Sequence, residues 1–265
     1  MPAVRNPWLR GEWRLRQGIM SDAIMGSGQG LKGRSSLSWR GSGVGTLVAL
    51  LLIGGVRAGL GQEHPAALGR ISYGADLQPG DAICSGALVA PALVLTAAHC
   101  VRIDDPATIR FDVGWTDGRG LAIGRGAEVI FAPEGAVGGG ALTGLIGDLA
   151  LVVLAEPIPV AVAAPLPLAG TEAVLGDRFT LIAYRRDAAD RPQRSDACTL
   201  LATAPGLMGL SCLAVSGNSG APLLEWDGTG WRIAAVMVAV ANGGAVRSWA
   251  VIPPQALRTR IRSPG

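Results

Sequence analysis

The 265-residue sequence has no long amphipathic helices, few aromatic residues (5%) and few charges (16%). No extended segment keeps the 3.6-residue apolar period, so a helical bundle and a doubly wound α/β sheet are both disfavoured. Histidine is scarcer still, with His64 and His99 alone, and the four cysteines form no CxxC pair. A zinc site is therefore not expected, and the sequence points to no metal and no cofactor. No apolar run reaches the roughly 20 residues a membrane-spanning helix needs. A basic surplus is missing where it would matter. The formal charge is +3, but eight of the 23 Lys/Arg and only two of the 20 Asp/Glu fall in residues 1–61, leaving 15 basic against 18 acidic. Nucleic acid is excluded as the expected partner on that ground.

What the sequence has in quantity is hydrophobic residues (49%), 39 glycines and 17 prolines. That mixture buries a core with short strands and tight turns, and the expectation is an all-β protein. Behind the basic stretch, Val44 to Ile53 (VGTLVALLLI) is a short apolar run followed by small residues. It reads as the core of a secretory signal within a leader spanning 1–61, with Met20 or Met25 as the expected true start. An uncleaved membrane anchor is the alternative. The four cysteines, Cys84, Cys100, Cys198 and Cys212, all follow the leader. An even number in an exported chain implies two disulfides, and the expected location is secreted or periplasmic.

Strands are expected at Ala82 to Val89, Ala92 to Leu95, Ile109 to Val113, Glu128 to Phe131 and Leu149 to Leu154. A second set covers Phe179 to Tyr184, Cys198 to Thr203, Met208 to Leu213, Pro222 to Trp226, Trp231 to Val240 and Ser248 to Ile252. Asp227-Gly228-Thr229-Gly230 is a hairpin signal between two of them. The proline-broken segment 156–170 (EPIPVAVAAPLPLAG) separates the sets and reads as an inter-domain linker. A short helix is expected between Pro254 and Arg262, with proline at its start.

Three segments carry chemistry: Cys84 to Pro91 running into Leu95-Thr96-Ala97-Ala98-His99-Cys100, then Gly147-Asp148-Leu149-Ala150-Leu151, then Ser216-Gly217-Asn218-Ser219-Gly220-Ala221-Pro222. A serine hydroxyl attacks a carbonyl efficiently only when a neighbouring base takes its proton. Imidazole, with an ordinary pKa near 6.5, suits that exchange, and a carboxylate at its other nitrogen fixes the tautomer. The order His, Asp, Ser argues against an α/β-hydrolase, because no histidine follows Ser219 and the segment lacks the last glycine of GxSxG. A subtilisin order could use Asp76 or Asp81, but that fold needs helices the sequence does not offer.

Over roughly Leu68 to Ile252 these segments resemble the chymotrypsin/trypsin family of serine proteases, especially its shorter bacterial branch with the V8-like enzymes. The resemblance implies two six-stranded antiparallel Greek-key barrels with a short C-terminal helix, residues 62–160 carrying His99 and Asp148 and 161–265 carrying Ser219. It further implies His99, Asp148 and Ser219 as a catalytic triad and the amides of Gly217 and Ser219 as an oxyanion hole. Disulfides Cys84–Cys100 and Cys198–Cys212 follow from the same resemblance. The substrate would be a polypeptide, cut by a monomeric enzyme. Leu213, Ser216, Val238 and Ala239 are the expected pocket walls; with no acidic residue among them, a small or medium apolar side chain is the expected preference.

Departures from the family pattern are informative. Asn218 stands where animal relatives place an aspartate that pairs with a freed amino terminus, so activity is not expected to require a new terminus at Ile71. Ala221 replaces the more usual glycine, adding a methyl near the serine. Around Met237 the family often has a small hydroxyl residue that supports the aspartate. Two other functions compete with peptide hydrolysis: a catalytically silent protease-like binding module, and esterase action by the same triad.

Overall fold

Short apolar runs bounded by turns cannot bury themselves as single strands, and in this chain each pairs antiparallel with a neighbour until the sheet closes. The computed structural model describes residues 64–73, 84–133, 142–170 and 172–263. The signal reading, with Val44 to Ile53, lies outside these residues, as do Asp76 and Asp81. The first barrel contains β1 (Leu68–Tyr73), β2 (Cys84–Ala90), β3 (Leu93–Thr96), β4 (Ile109–Val113), β5 (Ala122–Phe131) and β6 (Ala150–Leu154). They close in the order β1-β2-β3-β6-β5-β4.

The second barrel contains β7 (Arg178–Arg185), β8 (Ala188–Ala204), β9 (Leu207–Leu210), β10 (Pro222–Trp226), β11 (Trp231–Val240) and β12 (Ser248–Val251). Its order, β10-β11-β12-β9-β8-β7, is the same Greek-key pattern. Two helices are described, the one-turn α1 (Thr143–Ile146) and the C-terminal α2 (Gln255–Arg262), which follows Pro254. Among the described residues no helix is long and apolar enough to cross a membrane.

Three elements differ from the sequence expectation. β1 was not among the expected strands, because Gly69 and Arg70 interrupt its apolar pattern. Gly69 is required there, since a Cβ would sit 2.6 Å from Cζ of Phe111. Strand β5 starts six residues before the expected Glu128, and β8 starts ten before Cys198. The added part of β8, with Arg191, Gln193, Arg194 and Asp196, is largely exposed and pairs with β7. Exposed on both faces, it has no apolar alternation to read.

Segment 156–170 carries no regular structure but is fastened to both barrels. Ile158 N donates to Pro91 O (2.8 Å) and Leu166 N to Leu88 O (2.9 Å), while Ala169 N donates to Ile233 O (2.8 Å) and Ile233 N to Pro167 O (2.9 Å). The expected hairpin forms as well, with the Asp227 carboxylate accepting from Thr229 N and Gly230 N. The Thr229 hydroxyl, these two amides and the Arg232 guanidinium hold that carboxyl well below the usual range.

Candidate active site at the barrel seam

The pairing of β3 with β6 sets Thr96 opposite Ala150. Just past those strand ends, residues 98–100 make a 3-10 turn while Asp148 ends the approach from α1, so His99 and Asp148 face each other. Two bonds hold them. The His99 backbone amide donates to Asp148 Oδ1 (2.8 Å) and the His99 ring Nδ1 lies 2.6 Å from Oδ2. A third, from Ala98 N to Asp148 O (3.2 Å), ties the two segments along the backbone. The carboxylate is mostly covered (16% exposed) and the imidazole is open at 45%, which leaves one ring nitrogen for outside chemistry. No hydroxyl from the second barrel bonds Asp148 among the described residues, and Met237 is buried in the second core instead. His99 itself is therefore the group that orients the acid.

Ser219 arrives from the second barrel on the turn between Cys212 and β10. Gly220 N donates to Met237 O (2.8 Å) and Met237 N to Ala221 O (2.9 Å), which extends the β10–β11 ladder up to the serine. Across the seam, Ser85 N donates to Ser219 O at 2.8 Å. Gly220, with φ +80°, lies so close to the histidine segment that a Cβ would strike Thr96 Oγ1 and Ser85 O. These contacts set Ser219 beside the strand that leads into His99. The half-buried Ser219 hydroxyl makes no hydrogen bond to His99 or to any other described residue.

The preceding peptide units are oriented one by one. Ser216 O accepts from Arg186 N (2.9 Å), Gly217 O from Ser85 Oγ (2.8 Å), and Asn218 O from Ala221 N (3.0 Å). A trans peptide directs its N–H opposite to its carbonyl. The amides of Gly217 and Ser219 thus point away from those partners, and neither donates to an acceptor among the described residues. Gly217 has φ +97°, and a Cβ there would lie 2.6 Å from Arg186 N and 2.8 Å from Tyr184 O. Asn218 is 4% exposed; its Oδ1 accepts from Val215 N (2.9 Å) and its Nδ2 donates to Tyr184 O (3.1 Å). Ala221 is fully buried in the second core, so its methyl packs inward instead of crowding the serine.

Both expected disulfides are formed, Cys84–Cys100 and Cys198–Cys212, and no free cysteine remains among the described residues. The sulfurs nearest His99 are joined to each other and offer no thiolate to a metal. A cavity of about 420 Å³ lies between α1 and the end of β11, lined by Leu142, Leu145, Ala239, Val240, Val246 and Trp249 among others, with no charged side chain. Of the four expected wall residues, Ala239 lines it; Leu213 and Ser216 are exposed outside it and Val238 is buried. Sequence reasoning missed Leu142, Leu145 and Trp249 for this wall, and it missed Ser85 and Tyr184 behind the serine turn. Nothing local marks these residues, because their roles come from contacts across the seam.

Comparison with known proteins gives the fold and the family. No curated relative matches the sequence. Among solved structures, human heparin binding protein superposes with a TM-score of 0.55 at 19% identity, covering 75% of this chain and 90% of that one. That likeness carries the fold. A sequence profile described as "Trypsin-like peptidase domain" matches residues 84–234, more than half of the chain and a span that includes His99, Asp148 and Ser219. The chain belongs to the trypsin-like peptidase domain family.

Proposed function

We propose that this protein is a secreted serine endopeptidase that cleaves polypeptides through an acyl-enzyme formed on Ser219. The observation that carries the reading is the two-point grip of Asp148 on His99 beside a serine turn whose Gly217 and Ser219 amides remain unengaged. His99 Nε2 takes the proton as Ser219 Oγ attacks the scissile carbonyl, then gives it to the departing amine. A water deprotonated by the same nitrogen hydrolyses the ester and restores the serine. The two amides stabilise the developing oxyanion, an effect worth about 3–4 kcal/mol per donor in related sites. A Ser219–His99 bond absent from the free protein is no obstacle, because such bonds often tighten only once substrate is bound.

The uncharged cavity beside β11 supports a substrate carrying apolar side chains on the acyl side. Disulfides on both barrels support export, since such bonds persist in oxidising compartments. Labelling by a fluorophosphonate tests the reading. One label per chain is expected at Ser219, absent in Ser219→Ala, together with digestion of a denatured protein by the unsubstituted chain alone. Folded protein that neither labels nor digests would be a silent binding module.

A further inference from the structure

The hydroxyl of Ser85, on β2 of the first barrel, is 2% exposed and fully used. It accepts from Tyr184 N (2.9 Å) and donates to Gly217 O (2.8 Å), with Tyr184 O at 3.5 Å. Tyr184 O in turn receives Asn218 Nδ2, and the Tyr184 phenol, on the same residue, donates to Trp115 O in the first barrel (2.9 Å). One buried hydroxyl thus joins the histidine-bearing barrel, the end of β7 and the turn that precedes Ser219. Both groups it satisfies, Tyr184 N and Gly217 O, are buried backbone that needs a partner.

The same region bears on the expectation that no freed amino terminus is needed. Arg70 pairs with Ser85 and Ile71 with Cys84 inside β1, with exposures of 4% and 0%. Cutting between them would mean opening the barrel. The Arg70 side chain is already committed, through Nε to Asp112 (2.9 Å) and by stacking 3.6 Å above the Trp115 ring. Asn218, being neutral and doubly bonded, offers an incoming ammonium no charge.

We propose that Ser85 is a positioning residue that locks the 215–219 turn in its oxyanion-binding form in the uncut chain. This inference rests on the peptidase reading for its functional part. Without the hydroxyl, Gly217 O and Tyr184 N both lose their partner. The 217–218 peptide is then held less firmly, and the adjoining 216–217 unit, which carries the Gly217 amide, is left with Arg186 N as its only anchor among the described residues.

The test compares Ser85→Ala with Ser72→Ala, a control whose buried hydroxyl has no partner among the described residues. Acylation by 4-nitrophenyl acetate is expected to slow by about 10- to 100-fold in Ser85→Ala, with the concentration at half-saturation within about threefold. Ser72→Ala should match the parent. Hydrogen exchange followed by mass spectrometry gives a second readout that does not depend on activity. The 215–221 segment should exchange about tenfold faster in Ser85→Ala, while 84–96 stays protected. Should Ser85→Ala fail to fold, Asn218→Asp, which turns a donor at Tyr184 O into an acceptor, must produce the same two changes. Acylation within twofold of the parent in a folded variant, unchanged exchange at 215–221, or parent activity that appears only after cleavage at Arg70–Ile71 would each overturn the proposal. A parent chain that never acylates would remove the peptidase reading, leaving the exchange comparison to judge the lock alone.

Discussion

The two barrels share a strand order and a similar stock of buried side chains, but they hold different parts of the candidate site. Each sets large residues among alanines: Leu88, Leu95, Phe111 and Leu151 with Ala87, Ala97, Ala98 and Ala150 in the first, and Phe179, Leu200, Leu210 and Leu223 with Ala183, Ala221, Ala235 and Ala250 in the second. Several large residues of the second, among them Ile182, Leu207, Leu224 and Val236, pack into one continuous cluster with the first. Burial therefore stabilises both barrels by similar means. The difference lies in what each presents: the first carries His99 and Asp148 bonded to each other, and the second carries Ser219 on a turn held from outside by Ser85.

The comparison can be broken at the first barrel by changing its chemistry and leaving its packing intact. Asp148→Asn keeps the shape but removes the charge that fixes the His99 tautomer, and acylation should fall by about 10⁴-fold with the unfolding midpoint barely moved. A loss below tenfold would mean that the histidine is oriented by something other than this carboxylate. Packing supplies the next test. Leu95→Ala in the first barrel and Leu223→Ala in the second, both almost fully buried, should each cost about 2–5 kcal/mol in urea unfolding. A cost below about 1 kcal/mol in one of them would show that its core is packed more loosely than the other.

Alkaline titration gives the finest comparison, because the sequence has only two tyrosines and each barrel holds one. Burial pushes the Tyr73 phenol up to about 12 and the Tyr184 phenol beyond the ordinary tyrosine range. A raised folded-state pKa means that the folded chain retains protons the unfolded chain releases. Stability is therefore complete below the unfolded value near 10 and declines as pH rises through the folded values. Phenolate absorbance should show Tyr73 ionising first, with Tyr184 ionising together with unfolding. Two titrations near pH 10 in folded protein would contradict the burial of both rings.

Much of this was legible along the chain, because the chemistry resides in contiguous segments. Leu95 to Cys100, Gly147 to Leu151 and Ser216 to Pro222 announce themselves by residue type and order; the alternation of short apolar runs with turns announces an all-β chain, and the two barrels followed from the family resemblance. The unread features are those decided by neighbours far away in sequence. Ser85 is an unremarkable serine until Gly217, 132 positions later, is found at its hydroxyl. β1 hides because its buried Arg70 is neutralised by Asp112, a partner 42 residues away. The first half of β8 hides because water on both faces leaves its composition unconstrained. Even the apolar wall beside β11 draws on Leu142, just before α1, and on Leu145 within it, which sit only a few residues before Asp148 yet gave no signal of a role.

Segment 156–170 has a final consequence for the proposed peptidase reading. A proline-rich connector of that length could serve as a pivot, but this one is nailed down at both ends, to Pro91 and Leu88 on one side and to Ile233 on the other. On that reading a guest chain would have to lie along the seam as it stands, so that loosely folded or extended stretches of a protein would be accessible to it long before a tightly folded domain.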